Sequence, residues 1–467
     1  MNTRHLPLLL AGLFVLLVGF LIGCAAPSPT APAATVPLAT APAVAATTAP
    51  TTAPATAAAS SGTAAATSPA SAKVSEVKIG VIYPLTGGSA QAGLDARAGV
   101  ELAVDILNGK YPNIDLPMAK PGGFLGGAKV TAVYADSQAS PQVGQSDAQR
   151  LVTSDKVVAL YGAYNSNVTK TASDVAERSG IPFVNGESSS PDLTTRGYQW
   201  FFRTSPTDND FSKAMFDMID AMNKQQNANI KTVGILAENT DFGTNSAKAE
   251  QAEAKRIGVT VVDTVQYTAN TTSLTAEIQK LKADNPDVLL PSSYGSDTIL
   301  TLKTMKDLNW VPKMILAQDA GYVDSTFITT VGKDAEGIAS RAAFNLDIVK
   351  VKPLAKEVDD LYKTRTGKDL TDIPARAFTG FMTLADAINR AGSTDPAAIR
   401  KALIATNIPA DQTIMPWKGI KFDNAGQNTM GQAIIIQVQN GQYVTVYPFE
   451  FKGANIVFPL VPWSQRK

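Results

Sequence analysis

Between Val77 and Tyr83 the chain reads Val-Lys-Ile-Gly-Val-Ile-Tyr, and it then turns through Pro84-Leu85-Thr86-Gly87-Gly88 into Ala90 to Asn108. A strand this apolar needs cover on both faces, which a parallel sheet wrapped by helices supplies. Leu94, Ala98, Leu102 and Ile106 recur at helical spacing behind it, so the stretch predicts strand, tight turn and helix. Two glycines ahead of the helix leave its first N–H groups open to an anion, or simply let the helix begin.

The same alternation continues along the chain. Strands are expected near Lys129 to Ala135, Val157 to Tyr161 and Ile181 to Val184, with helices over Asp147 to Ser154 and Thr169 to Ser179. A second set opens at Thr232, with strands at Thr232 to Ala237, Thr260 to Val265 and Asp287 to Pro291. Its helices are expected from Thr244 to Ile257, Ser273 to Ala283 and Asp297 to Asn309. The repeated order predicts two similar α/β lobes rather than one long sheet, with ligands taken at the carboxyl ends of the strands. The Pro- and Gly-rich insertion from Gly109 to Gly127 reads as a surface loop, and Phe378, Met382, Ala385 and Ile388 as a core stripe on one helix.

Composition narrows the chemistry. Lys plus Arg and Asp plus Glu both number 41, so no net field recruits nucleic acid. The only histidine is His5 and the only cysteine Cys24. With that end removed as a targeting segment, the body has no Ser-His-Asp or Cys-His catalysis, imidazole metal site or disulfide. Neither a GxGxxG turn, nor a Walker A loop, nor Gly-x-Ser-x-Gly is present. No catalytic residue, metal or cofactor is expected.

Arg4 and His5 precede an uncharged run from Leu6 to Ile22, the pattern of a secretory signal. Leu21-Ile22-Gly23-Cys24 resembles the lipobox of bacterial lipoproteins, which implies residues 1–23 as signal peptide and a lipidated Cys24. Two or more acyl chains there would give stable membrane attachment. Residues 24–72 are almost only Ala, Pro, Thr and Ser, which cannot bury a core and read as a tether spanning roughly 35 to 40 Å.

From Val77 to about Tyr447 the chain resembles the branched-chain amino acid (amino acid/amide) type of periplasmic substrate-binding protein of ABC transporters. The matching stretches are Ile79 to Gly87, Asp155 to Gly162, Ser189 to Thr194, Phe202 to Pro206 and Asn239 to Gly243. Their order and separation carry the resemblance, each being weak alone. It implies a type I periplasmic binding protein fold: two Rossmann-like lobes with parallel-rich sheets, joined by three hinge crossings near Thr204, Ser340 and Gly431. Lobe 1 would comprise 73–203 plus 341–430, and lobe 2 would comprise 204–340 plus 431–467. A monomeric extracytoplasmic receptor, lipid-anchored to the membrane, would close on a small amino acid or amide and deliver it to ABC permease subunits.

Carried over residue by residue, the resemblance implies that Ser166 and Ser189 of the first lobe hold the ligand carboxylate. Phe242, Tyr294 and Asp319 of the second would cover it and bind its ammonium. The residues also allow blander roles: Ser166 and Ser189 as caps, Asp319 as a solvated loop acid, Tyr294 as a surface turn. Two departures stand out: Phe242 replaces a tyrosine, and Glu187 occupies a usually small position. A second acid beside Asp319 is costly without a cation, so a ligand with extra positive or hydrogen-bond-donating character is expected unless Glu187 points outward. Asp319→Asn is expected to weaken binding strongly and to leave the thermal stability of the ligand-free protein nearly unchanged. The alternatives are a sensing module for a separate signalling partner and an enzyme working with carboxylates such as Glu187 and Asp319.

Overall fold

A computed structural model describes residues 74–119 and 122–466. The signal segment, Cys24 and the tether lie outside the described residues, and no described helix is long and apolar enough to cross a membrane.

The first sheet has five parallel strands, β1 (Glu76–Tyr83), β2 (Lys129–Asp136), β3 (Ala159–Gly162), β4 (Phe183–Asn185) and β5 (Phe201–Arg203), in the order β2-β1-β3-β4-β5. Because β1 lies between β2 and β3, the strand order reverses there, and the loops after β1 and β3 diverge to leave a crevice. The apolar run that predicted a doubly covered strand is covered: Val77, Ile79, Val81, Ile82 and Tyr83 are fully buried.

The second sheet has seven strands in the order β14-β13-β10-β9-β8-β6-β7. Here β6 (Thr232–Glu238), β7 (Thr260–Tyr267), β8 (Val288–Ser292), β9 (Met314–Ala317) and β10 (Ala339–Ala342) are parallel. β11 (Asn407–Pro409) and β12 (Gly419–Lys421) form a separate antiparallel pair, and the hairpin of β13 (Ile434–Gln439) and β14 (Gln442–Tyr447) closes the second sheet along β10. The chain therefore passes between the sheets after β5, after β10 and before β13.

Helices α1 (Ala90–Leu107), α2 (Pro141–Thr153) and α3 (Ser166–Ser179) flank the first sheet; α4 (Asp208–Gln226), α5 (Asp241–Ile257), α6 (Thr275–Asp284), α7 (Gly295–Asp307) and α8 (Phe327–Val331) follow with the second. The chain then returns to lobe 1 through α9 (Pro353–Thr366), α10 (Asp372–Ala391) and α11 (Pro396–Ile404), with α10 packed along α1. A capping box of Thr207 and Asp210 starts α4, and Gly180 and Gly258 end α3 and α5 in the left-handed conformation.

The structure corrects several sequence expectations. α3 and α5 begin three residues earlier than their apolar patterns, because the single apolar residue in each first turn, Val168 or Phe242, sets no period. Those turns hold Ser166 and Phe242. Leu94 is 45% exposed, since the small residues Ala92, Gly93, Ala96 and Gly99 turn the buried face of α1 away from it. The Gly109 to Gly127 insertion is more than a surface loop, for Ile114, Leu116, Met118 and Phe124 are buried in the lobe 1 core and Leu125 N donates to Asn389 on α10.

Candidate functional site

The loops leaving the carboxyl ends of β3, β4, β6, β8 and β9 meet between the lobes. Around one small cavity of about 20 Å³ stand Tyr164, Ser166, Glu187 and Ser189 from lobe 1, Phe242, Tyr294, Asp319 and Ala320 from lobe 2, and Arg341 and Arg376. The volume admits roughly one water molecule. All six residues singled out in the sequence are among these, brought together from positions 166 to 319.

The lobe 1 wall is built mostly from its own lobe, with two hydrogen bonds from lobe 2, Asp208 N to the Ser189 carbonyl at 2.8 Å and Asn245 Nδ2 to Ser190 Oγ at 3.0 Å. Arg203 donates to the carbonyls of Ser188 (3.2 Å) and Ser190 (2.6 Å), Thr169 and Ser188 share a hydroxyl hydrogen bond of 2.7 Å, and Ser188 Oγ donates to the Tyr164 carbonyl. The loop from Glu187 to Ser190 is thereby fixed. Ser166 opens α3, and its Oγ accepts from Ser190 N at 3.4 Å. Glu187 does not point outward: it is 4% exposed, with Tyr83 donating to its Oε1 at 2.8 Å and Tyr161 at 3.4 Å. Its Oε2 is buried without a partner. Burial pushes the Glu187 carboxyl up to about 7, against the opposing pull of the Tyr83 hydrogen bond and the Arg376 charge.

The lobe 2 wall is aromatic and acidic. Phe242 and Tyr294 pack with ring centroids 5.2 Å apart, and Tyr164 reaches from lobe 1 to within 5.7 Å of Tyr294. Tyr294 is 7% exposed and so is no surface turn residue. Asp319 is 1% exposed, which rules out a solvated loop acid, and its φ of 65° and ψ of −136° place it in a region nearly reserved for glycine. Ser340 Oγ accepts from its backbone N–H at 3.1 Å.

The largest correction concerns charge. Asp319 is already paired: Arg341 Nη1 and Arg376 Nη2 (2.8 Å) both donate to its Oδ2, while Oδ1 is buried without a partner. Both arginines are 1% exposed. Arg341 stacks on Phe211 at 3.6 Å and donates to Gln318, with Asp208 3.9 Å away. Arg376 pairs with Asp372 at 2.8 Å, and Asp372 accepts from the N–H groups of Ala343 and Phe344 just after β10. Burial raises the carboxyls of Asp208 and Asp372 to about 6 each. Four buried carboxylates, Glu187, Asp208, Asp319 and Asp372, thus share the two guanidiniums of Arg341 and Arg376, so the protein itself places cations beside Asp319, which the expectation drawn from Glu187 leaves out.

Arg341, Arg376 and Tyr164 escaped the sequence reading. For the arginines a signal existed: each is a lone charge in an apolar run, Ala339-Ser-Arg-Ala-Ala-Phe and Ile373-Pro-Ala-Arg-Ala-Phe. A charge where the period demands a buried side chain implies a buried partner. Among the described residues no group of three or more His, Cys, Asp or Glu is arranged to hold a metal ion.

Residues 76–442 match the profile described as "Periplasmic binding protein". The chain is 28% identical over 389 residues to a Leu/Ile/Val-binding protein homolog 7 of Brucella abortus, covering 80% of this chain and 92% of that protein. The fold is similar to a leucine-binding protein of Thermotoga maritima, with TM-score 0.67 and 23% identity over 79% of this chain and 97% of the other. It is also similar to a branched-chain amino acid transporter substrate-binding protein of Streptococcus pneumoniae solved with isoleucine, with TM-score 0.67 and 21% identity over 82% of this chain and all of the other. The two-lobed α/β architecture is that of these neighbours.

Proposed function

The chain belongs to the periplasmic binding protein family, and from that premise we propose that it is the extracytoplasmic solute-binding component of an ABC importer. It closes two lobes on an amino acid or a related small amide or zwitterion and hands it to permease subunits. The observation that carries this reading is the convergence of polar and aromatic side chains from both lobes on one buried cavity at the strand carboxyl ends. Contacts available only when both lobes face the ligand shift the population toward closure. Ser166, Ser189, Glu187, Phe242, Tyr294 and Asp319 are the ligand-contacting residues in this reading, and Cys24 carries the lipid that holds the protein to the membrane.

A thermal-shift screen of the purified chain against amino acids, primary amides and small organic acids tests it. A micromolar ligand at millimolar concentration adds roughly 4 kcal/mol to stability. Stabilisation by none of these classes would sink the proposal. Cys24→Ser should release the chain from the membrane fraction, which tests the anchor separately.

A further inference from the structure

Resting on the reading above, we propose that Arg376, seconded by Arg341, is the carboxylate-binding residue of the cleft and selects zwitterionic amino acids. The Arg376–Asp319 pair occupies the place where the ligand's two charged ends go.

Three observations carry this. First, the pair crosses the cleft: Arg376 stands on α10 in lobe 1, and Asp319 follows β9 in lobe 2. Parting the lobes therefore parts these two charges. Second, the cavity beside them is only about 20 Å³, so the room for a ligand is made by separating guanidinium from carboxylate. Third, both partners are oriented independently of each other. Asp372, one helical turn before Arg376, is its ion-pair neighbour at 2.8 Å, and the Glu187 carbonyl accepts from its Nη1 at 3.1 Å; Arg341 and Ser340 hold Asp319.

Charge decides the ligand class. Separated without replacement, Arg376 and Asp319 would each lose a buried ionic partner, which is unfavourable in a desolvated site. A zwitterion entering between them gives its carboxylate to the guanidinium and its ammonium to Asp319, so every buried charge keeps a partner. The unpartnered Oδ1 of Asp319 and Oε2 of Glu187 are further acceptors for ammonium hydrogens. Of a guanidinium's five N–H donors, Arg376 gives one to the Glu187 carbonyl and one to Asp319, and its Nε makes no hydrogen bond, so donors remain for the ligand's oxygens. An amide offers no charge to either side, an amino amide only the ammonium, and acetate only the carboxylate.

Calorimetry on the full chain tests this with L-alanine, L-leucine, their amides L-alaninamide and L-leucinamide, and acetate. In the unaltered protein at least one amino acid should bind at least a hundredfold more tightly than its own amide, and acetate no better than the amides. In Arg376→Gln that preference should fall at least tenfold, and Arg376→Lys should restore part of it. The preference is a ratio within one protein, so a general loss of stability does not imitate it. An amide binding as tightly as its amino acid would overturn the assignment while leaving the importer reading intact, as would a preference untouched in Arg376→Gln. If all these probes fail but another solute binds, the zwitterion assignment falls alone; if no solute of any class stabilises the chain, the importer reading falls with it.

Discussion

The two walls of the cleft are held in different ways. Glu187, the acid of the lobe 1 wall, takes its partners Tyr83, Tyr161 and, at its carbonyl, Arg376 from lobe 1, while the loop after it also accepts from lobe 2, Ser189 O from Asp208 N and Ser190 Oγ from Asn245 Nδ2. Asp319, the acid of the lobe 2 wall, takes its side-chain partners from β10 and, across the cleft, from α10. The acid of one wall is held in its own lobe, and the acid of the other is completed by the meeting of lobes. Ligand affinity is then built on closure, because the second wall's acid gains its full set of neighbours only there.

Removing Asp319 breaks this comparison most directly. Asp319→Ala leaves two buried guanidiniums short of a partner, and breaking a buried pair costs about 3–5 kcal/mol. The loss should appear as a lower denaturant midpoint with little change in slope. This replaces the expectation from sequence that an Asp319 substitution spares stability, which treated the carboxylate as free. A stability change below about 1 kcal/mol would mean that the arginines find other partners and that the lobe 2 wall stands alone after all.

Glu187 sharpens the comparison from the other side, because its neighbours stay with it whether or not the lobes meet. Its folded carboxyl titrates about 7, raised by burial above the ordinary 4.5. A raised folded value means stability is fully present below the ordinary value and is lost as pH rises through about 7. Glu187→Gln imitates the protonated acid and still accepts from Tyr83, so it removes this loss. Its stability should match the unaltered chain near pH 4.5 and exceed it above pH 7 by on the order of 3 kcal/mol, as measured by unfolding across pH. Asp208, Asp372 and other buried acids titrate in both proteins, so only the difference between the two curves reports Glu187. Parallel curves would remove Glu187 from the groups that titrate on unfolding.

The same asymmetry explains what could be read from the sequence. The lobe 1 hydroxyls and the second-lobe aromatics follow strands within a few residues, so local pattern and family resemblance both point at Ser166, Ser189, Phe242, Tyr294 and Asp319. The paired parallel-rich sheets were legible for the same reason, since each strand and helix announces itself by its own period. Arg341 and Arg376 lie 22 and 57 residues beyond Asp319, on a hinge-side strand and a helix of the other lobe. Nothing local ties them to it, and the charge expectation drawn from Glu187 leaves them out. The insertion was misjudged because Gly and Pro mark turns whether or not Phe124 between them is buried.

Gly88 offers the smallest test and the one that leaves both walls untouched. The glycine turn that opened the sequence reading lies on the seam between the lobes: Gly88 O accepts from Ser296 N at 3.2 Å. A Cβ placed at Gly88 would fall onto Asn270 Oδ1 and lie 2.8 Å from Ser296 Oγ, both on lobe 2. Neither contact belongs to the core of either lobe. Gly88→Leu should therefore leave unfolding free energy within about 0.5 kcal/mol, while raising the cost of closure by about 1.4 kcal/mol, or tenfold in ligand affinity. Solution scattering should show the variant more open with ligand than the unaltered chain. Because closure is what brings Arg376 to Asp319, an unchanged affinity would show that the lobe 2 wall is completed without the seam, and a loss of stability as large as that of Asp319→Ala would show that the seam holds the fold rather than the cleft.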